Sequence, residues 1–223
     1  MDWLPFITAY LAFLLTHAIP VRPPVKPWLV DRLGARGFTL AYSALSLAVL
    51  AWLIVAAGQA PFVPLWDWAP WQSHVAMTVM LPVCLLLALS LGRPNPFSFG
   101  GPATGFDPDH PGLVAHLRHP LLVALALWAG AHTLANGDLA HVLLFGGFAG
   151  FALLGQHLLD RRRQRDMGAE WHALRARMRN RPAPRDVLAM PRRQLVLRLM
   201  AGALLYTALL EAHPHVIGVA VLP

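Results

Sequence analysis

Cysteine and lysine are nearly missing from this sequence: each occurs once, as Cys84 and Lys26. A single cysteine excludes an internal disulfide and, with it, a CxxCH haem-attachment motif. Charge is scarce as well. Asp, Glu, Lys and Arg make up 13 % of 223 residues, about half of what a soluble domain carries. No phosphate-binding glycine loop, zinc-protease motif or nucleophile–His–acid pattern is recognisable. What fills the space is apolar: 57 % of residues are hydrophobic and the mean hydropathy is +0.51. Lipid is therefore the expected main solvent, and the length suits one compact domain over 1–223.

A spanning helix needs roughly 20 mostly apolar residues. Six runs are predicted to cross: Trp3–Val21, Phe38–Gly58, Gln72–Gly92, Leu117–Ala135, Asp138–Leu159 and Leu195–Gly218. The last includes Arg198 and Glu211. The first run has no small-residue cleavage site after it and reads as an anchor. The fold class expected is an all-α polytopic transmembrane bundle.

The net charge of +7 is not a nucleic-acid signature, because the basic residues sit in loops between apolar runs. Arg22, Lys26, Arg32 and Arg36 lie between runs one and two, Arg93 and Arg118 between three and four, and eleven arginines between five and six. By the positive-inside rule these loops face the cytoplasm and both termini lie outside, which places the chain in a bacterial inner membrane. Trp66, Trp68 and Trp71 read as an interfacial belt. Asn136-Gly137-Asp138 is a turn signal, with Asp138 as N-cap of the next helix. Gly146 and Gly150 form a small-xxx-small pair suited to close helix packing.

Two of the basic loops are unusual. Residues 92–115 mix prolines and glycines with Phe97, Phe99 and Phe106, too broken for one helix and suited to a lid over a cavity or an irregular connector. In the loop at about 160–194, Met167, Trp171, Leu174 and Met178 recur at helical spacing, opposite Arg175, Arg177 and Arg179. That stripe predicts an amphipathic interfacial helix, either on lipid or closing a cofactor pocket.

Eleven histidines are many for so apolar a chain. His17, His74, His119, His132, His141 and His157 fall in or beside spans, where ionisable groups are functional candidates by default. A neutral imidazole held by a neighbouring helix is the structural alternative for each. Orientation puts His17, His119 and His157 toward the basic-loop side and His74, His132 and His141 toward the other. His119 and His132 are thirteen residues apart on one helix, about 20 Å along the axis, so they cannot share one iron. Trp128, His132 and Asn136 share a face at i, i+4 and i+8, where Trp128 suits packing on a flat cofactor and Asn136 suits orienting the imidazole.

Arg118-His119-Pro120 and the stretch from Trp128 through His132 to Asp138, with Thr16-His17, Arg32-Leu33-Gly34 and Tyr42 to Leu47, resemble the NnrU family, which includes the plant 15-cis-zeta-carotene isomerase. Asp160-Arg161-Arg162 and Met167 to Trp171 resemble it too. The resemblance covers nearly the whole chain. It implies a haem b protein with His17 and His132 on the iron, either a redox-dependent isomerase acting on a hydrophobic small molecule or a protein linked to nitric-oxide and denitrification metabolism. The isomerase's redox-switching cysteine falls at Ala129, a departure. Depth along the spans instead pairs His74 with His132, or His17 with His119, unless the first span is broken or tilted. The tail is similar, more distantly, to isoprenylcysteine methyltransferases, whose Arg-His-Pro motif lies near the cofactor. That implies an alternative, an S-adenosylmethionine-dependent enzyme using His119, the Pro/Gly loop and Glu170 to Arg175. A scaffold or sensor is the third reading. Substrate, electron partner and oligomeric state are not encoded in any motif found.

Overall fold

The computed structural model describes residues 2–102, 104–179 and 190–221, and is all-helical across them. Seven α-helices occur among the described residues: α1 (Leu4–Ala18), α2 (Val25–Gln59), α3 (Pro70–Ser90), α4 (Pro120–Ala135), α5 (Leu139–Met167), α6 (Ala169–Arg179) and α7 (Arg192–Val216), with a short 3-10 turn at Gly112–Ala115. Part of the basic loop, including Arg181 and Arg185, lies outside the described residues.

Four helices, α2, α3, α5 and α7, are long and apolar enough to cross a membrane. Their apolar windows bury little against protein: in α7 6 % of the window is buried, and Met200 and Leu204 stand 63 % and 71 % exposed. A helix apolar on every face and uncovered by protein is one solvated by lipid, so this is a membrane protein. The first and fourth expected spans are shorter than predicted, 15 residues in α1 and 16 in α4. At ~1.5 Å per residue each is about 23 Å long, less than a hydrocarbon core of about 30 Å. The count of six spans is therefore approximate. Proline sets the shortened ends: Pro20 lies just past α1, and Pro120 opens α4 where its missing N–H costs nothing.

The chain forms two compact units. The first comprises residues 1–67 and 137–144. There Phe6, Ala9 and Phe13 line one face of α1, and Val49, Leu53 and Ala56 one face of α2, all buried at helical spacing. The Tyr10 hydroxyl donates to the Leu143 carbonyl (3.2 Å). Gly34, at φ +70°, breaks α2 after its first turns, a conformation open to glycine without strain. The predicted second span lies wholly in the longer part beyond it. The turn after Asn136 is held by Gly137, whose carbonyl accepts from the Leu65 and Trp66 N–H groups at 2.7 and 3.2 Å. Asp138 Oδ1 accepts from the His141 N–H (3.2 Å), the expected N-cap bond.

The second unit holds residues 68–136 and 145–223. α3 packs against both α4 and α7. At α3 against α7 the backbones approach closely: a Cβ on buried Gly202 would stand 2.9 Å from Leu85 Cδ2 and 3.0 Å from its Cα. The close-packing role expected of Gly146 and Gly150 is not seen, since a Cβ at either meets nothing within 4 Å. The Arg198 guanidinium caps α3, donating to the Ala88 and Leu91 carbonyls at 2.7 and 2.9 Å. The predicted amphipathic helix forms as α6, but its stripe meets protein. Trp171 and Met178 are buried with Phe97 and Val114, and Phe106, Met167 and Leu174 pack around them. The aromatics of the Pro/Gly loop thus occupy the face assigned to lipid.

Candidate functional site

The second unit carries polar groups at the basic-loop ends of α4 and α5. His119 is the residue before α4 and is 2 % exposed. Asp160 follows the apolar part of α5, one residue before the arginine run. The two meet there: Asp160 Oδ1 lies 3.0 Å from His119 Nε2. Arg118 grips the same carboxylate with two donors, Nε to Oδ1 at 3.2 Å and Nη2 to Oδ2 at 2.6 Å. This fork geometry is the strong form of an ion pair. Burial alone would raise the Asp160 carboxyl, but the Arg118 and His119 hydrogen bonds outweigh it and hold the acid below its ordinary range. Burial pushes the His119 imidazole below its ordinary value, against the pull of Asp160. With Asp160 ionised, Nε2 carries the proton and Nδ1 is the acceptor. That Nδ1 is buried and has no hydrogen-bond partner among the described residues.

The Pro/Gly loop is tied onto this cluster. Asn95 is 5 % exposed. Its Oδ1 accepts from the Phe97 N–H (3.0 Å) and its Nδ2 donates to the Arg118 carbonyl (2.9 Å). Arg163, one turn beyond Asp160, donates to the Ser98 carbonyl (3.1 Å). Ser98 Oγ, Arg163 Nε and Trp171 Nε1 are further buried polar atoms without partners among the described residues. Buried polar groups are normally satisfied, so this junction of loop, α4, α5 and α6 is suited to water or a ligand.

The second candidate is His132, in the last turn of α4. Its Nδ1 lies 2.8 Å from the Trp128 carbonyl, an acceptor, so Nδ1 holds the proton and Nε2 keeps a free lone pair. Trp128, at 5.2 Å between ring centroids, and Phe145, at 5.1 Å, flank the imidazole, and Phe148 stacks on Trp128 at 6.0 Å. Asn136 does not orient the imidazole as expected. Its Nδ2 donates to the His132 main-chain carbonyl (2.8 Å), closing the helix end. Ala129 is fully buried beneath this face.

In the first unit His17, in the last turn of α1, repeats the device: its Nδ1 lies 2.8 Å from the Phe13 carbonyl. The Phe13 ring is 4.1 Å from the imidazole and Tyr42 is 6.2 Å away. His74 and His119, the partners that depth along the spans offered instead, differ. His74 is exposed in the first turn of α3, and His119 has committed Nε2 to Asp160. His141 pairs with Asp138 Oδ2 at 2.7 Å.

The pairing of Arg118-His119 with Asp160 escaped the sequence reading, although both motifs were visible. The signal was that Asp160 is the acid at the end of an apolar run that otherwise leads straight into arginines. Asn95 and Gly202 were also missed.

Helical spans solvated by lipid, with a carboxylate–guanidinium cluster under a loop, define an integral membrane protein. Within that class the chain belongs to the family of NnrU proteins, whose family model matches residues 5–221. No curated protein and no solved structure matches it.

Proposed function

We propose that this NnrU protein binds haem b, with His132 as an axial ligand and His17 as the second imidazole that the family resemblance implies. One observation carries the reading. Both imidazoles give Nδ1 to the carbonyl four residues earlier and keep Nε2 for a metal. Metal-ligating histidines are commonly fixed this way, the tautomer and ring angle being set by the partner of the other nitrogen. The donor set fits haem better than a bare ion. Among the described residues no group of three or more His, Cys, Asp or Glu side chains converges as a metal cage, whereas haem iron needs one or two axial ligands. Trp128, Phe145 and Phe148 offer aromatic surface to a flat macrocycle. Bound haem would supply one-electron redox chemistry tuned by its axial ligands and burial. The protein's part is to hold the ligand tautomer and exclude water. Redox-dependent isomerisation of a hydrophobic substrate, or service to nitric-oxide metabolism, are the activities in keeping with this. The basic loops would face the cytoplasm of a bacterial inner membrane.

The test is the absorption spectrum and haem-to-protein ratio of protein purified in mild detergent. His132→Ala is expected to lose or strongly shift the Soret band while still inserting. His17→Ala is expected to change the ligation spectrum, and His141→Ala to change little. Full occupancy in His132→Ala would refute the assignment. Loss confined to His17→Ala and His119→Ala would move the site to the basic-loop end.

A second reading is favoured by the partnerless buried atoms around His119: a methyltransferase binding S-adenosylmethionine beneath the Pro/Gly loop. Saturable S-adenosylmethionine binding by protein without a Soret band would select it.

A further inference from the structure

Beneath the Pro/Gly loop of the second unit lies a cavity of about 250 Å³, at the end of α3 and beside the start of α4. Its walls are mostly apolar, with Leu89, Phe106, Leu113 and Val114 among them, and its polar groups include Arg93 and His110. The Arg93 guanidinium is half-buried and bonds to no acid or carbonyl among the described residues. It lies against Gly112, where a Cβ would stand 3.2 Å from both terminal nitrogens. Gly112 has φ +56°, so glycine serves both the backbone conformation and the close approach.

The acids nearby are engaged elsewhere. Asp107, also in the wall, holds His110 Nδ1 at 2.8 Å, and Asp109 pairs with Arg177 at 2.7 Å. The other charge felt by Arg93 is of its own sign. Burial and then Arg198 both push the Arg93 guanidinium below its ordinary value. A half-buried guanidinium beside a second cation, with no carboxylate bonded to it among the described residues, is stabilised when an anion completes it. Arginine's planar fork matches phosphate and carboxylate in two parallel bonds. His110, at the same wall, has no second hydrogen-bond partner for its ring among the described residues.

We propose that this cavity is a binding site for a phosphate-ester ligand, with Arg93 gripping the phosphate and the Leu89–Phe106 wall holding a short apolar body. The volume suits a phosphate group with a small attached moiety. The same chemistry is offered by an anionic lipid headgroup and by a soluble phosphate ester. The site shares no residue with the proposed haem ligands, and its occupancy does not depend on haem.

The experiment uses the full chain in a neutral detergent and follows saturable binding by calorimetry, with phosphatidylglycerol, glycerol 3-phosphate and inorganic phosphate as probes and phosphatidylcholine as control. At least one phosphate probe is expected to saturate. Response to phosphatidylglycerol alone assigns the headgroup as source, and response to the small phosphates assigns a soluble ester. Arg93→Gln is expected to raise Kd about tenfold or more, the scale of a charged hydrogen bond. Arg162→Gln, whose exposed side chain faces Asp166 at 3.6 Å, is expected to leave it unchanged. Should Arg93→Gln fail to accumulate, Arg93→Lys keeps the charge without the fork and is expected to weaken binding severalfold. Absence of saturable binding in the parent, or an unchanged Kd in the Arg93 variant that folds, would overturn the proposal.

Discussion

Replacing Asp160 by Asn removes the charge on which Arg118 and His119 converge. Three hydrogen bonds end on that carboxylate, at 2.6, 3.0 and 3.2 Å. The Asp160 side chain is 15 % exposed and that of Arg118 32 %. Each bond to a charged group contributes about 1.5–3 kcal/mol when its partner is left stranded. The full sum is too large, because Arg118 reaches water and Asn keeps one acceptor. A loss of about 3 kcal/mol follows, at the low end of the range of about 3–5 for a fully buried broken pair. For a chain of 223 residues that lowers the unfolding midpoint by about 6–12 °C. The assay is a thermal melt in detergent, arranged as a double-mutant cycle with Arg118→Gln. The cycle isolates the pair from the general cost of each change, and a coupling of about 1–2 kcal/mol is expected. Strict additivity of the two substitutions, or a midpoint within about 1 °C of the parent in Asp160→Asn, would refute the ion-pair account.

Acidification should act through the same cluster. His119 is held below its ordinary value, so the unfolded chain binds a proton near pH ~6.5 that the folded chain refuses until lower pH. Stability therefore rises with pH across that window and is lost as pH falls through it. Melts between pH 7.5 and 5.5 should show this slope in the parent, and a smaller one in His119→Gln. The depressed Asp160 carboxyl adds a loss at still lower pH, as the solution passes through its folded value. Gly202→Ala should destabilise by about 1–3 kcal/mol through overpacking against Leu85. Gly146→Ala and Gly150→Ala, where a Cβ meets nothing, should be neutral or slightly stabilising in the same melts. Ala129→Cys, three residues before His132, should make the haem spectrum redox-sensitive; identical spectra of parent and variant under oxidant and reductant would count against haem on this face.

Much of the fold was readable because lipid imposes one simple rule. A run of apolar residues that must satisfy its own backbone becomes a helix, and α2, α3, α5 and α7 are found where hydropathy puts them. What hydropathy does not carry is where a helix stops. α1 ends at Ala18, before Pro20, and α4 starts at Pro120 rather than Leu117, so two expected spans are short. α5 continues two turns past its apolar run, because arginines are good helix formers and nothing breaks the chain before Gly168 at φ +56°. Packing partners were less readable. The Met167–Met178 stripe has the spacing of a lipid-facing helix, and spacing is silent about what covers it. Phe97 and Phe106 come from a loop about 70 residues earlier in the chain. The small-residue pattern at Gly146 misled for the same reason, while Gly202 lacks a repeat and could be found only from the approach of α3.

The histidines divide by what holds their first nitrogen, and that division bears on which of them suit a metal. His119 and His141 face carboxylates, each of which fixes one ring nitrogen. His17 and His132 instead face main-chain carbonyls, which accept a hydrogen bond from Nδ1. That bond places Nδ1 on the carbonyl and leaves Nε2 without a hydrogen-bond partner among the described residues. The spacing that makes this possible is helical: an imidazole at i reaches the carbonyl at i−4, which Thr133 and Asn136 also do from their own positions. A histidine anywhere in an α-helix could adopt it, so the sequence singled out His132 by its Trp128 and Asn136 neighbours and by the family resemblance rather than by this bond. The structure separates them by partner. Of the two carbonyl-locked imidazoles, His132 has an aromatic wall of Trp128 and Phe145 on which a flat cofactor could lie.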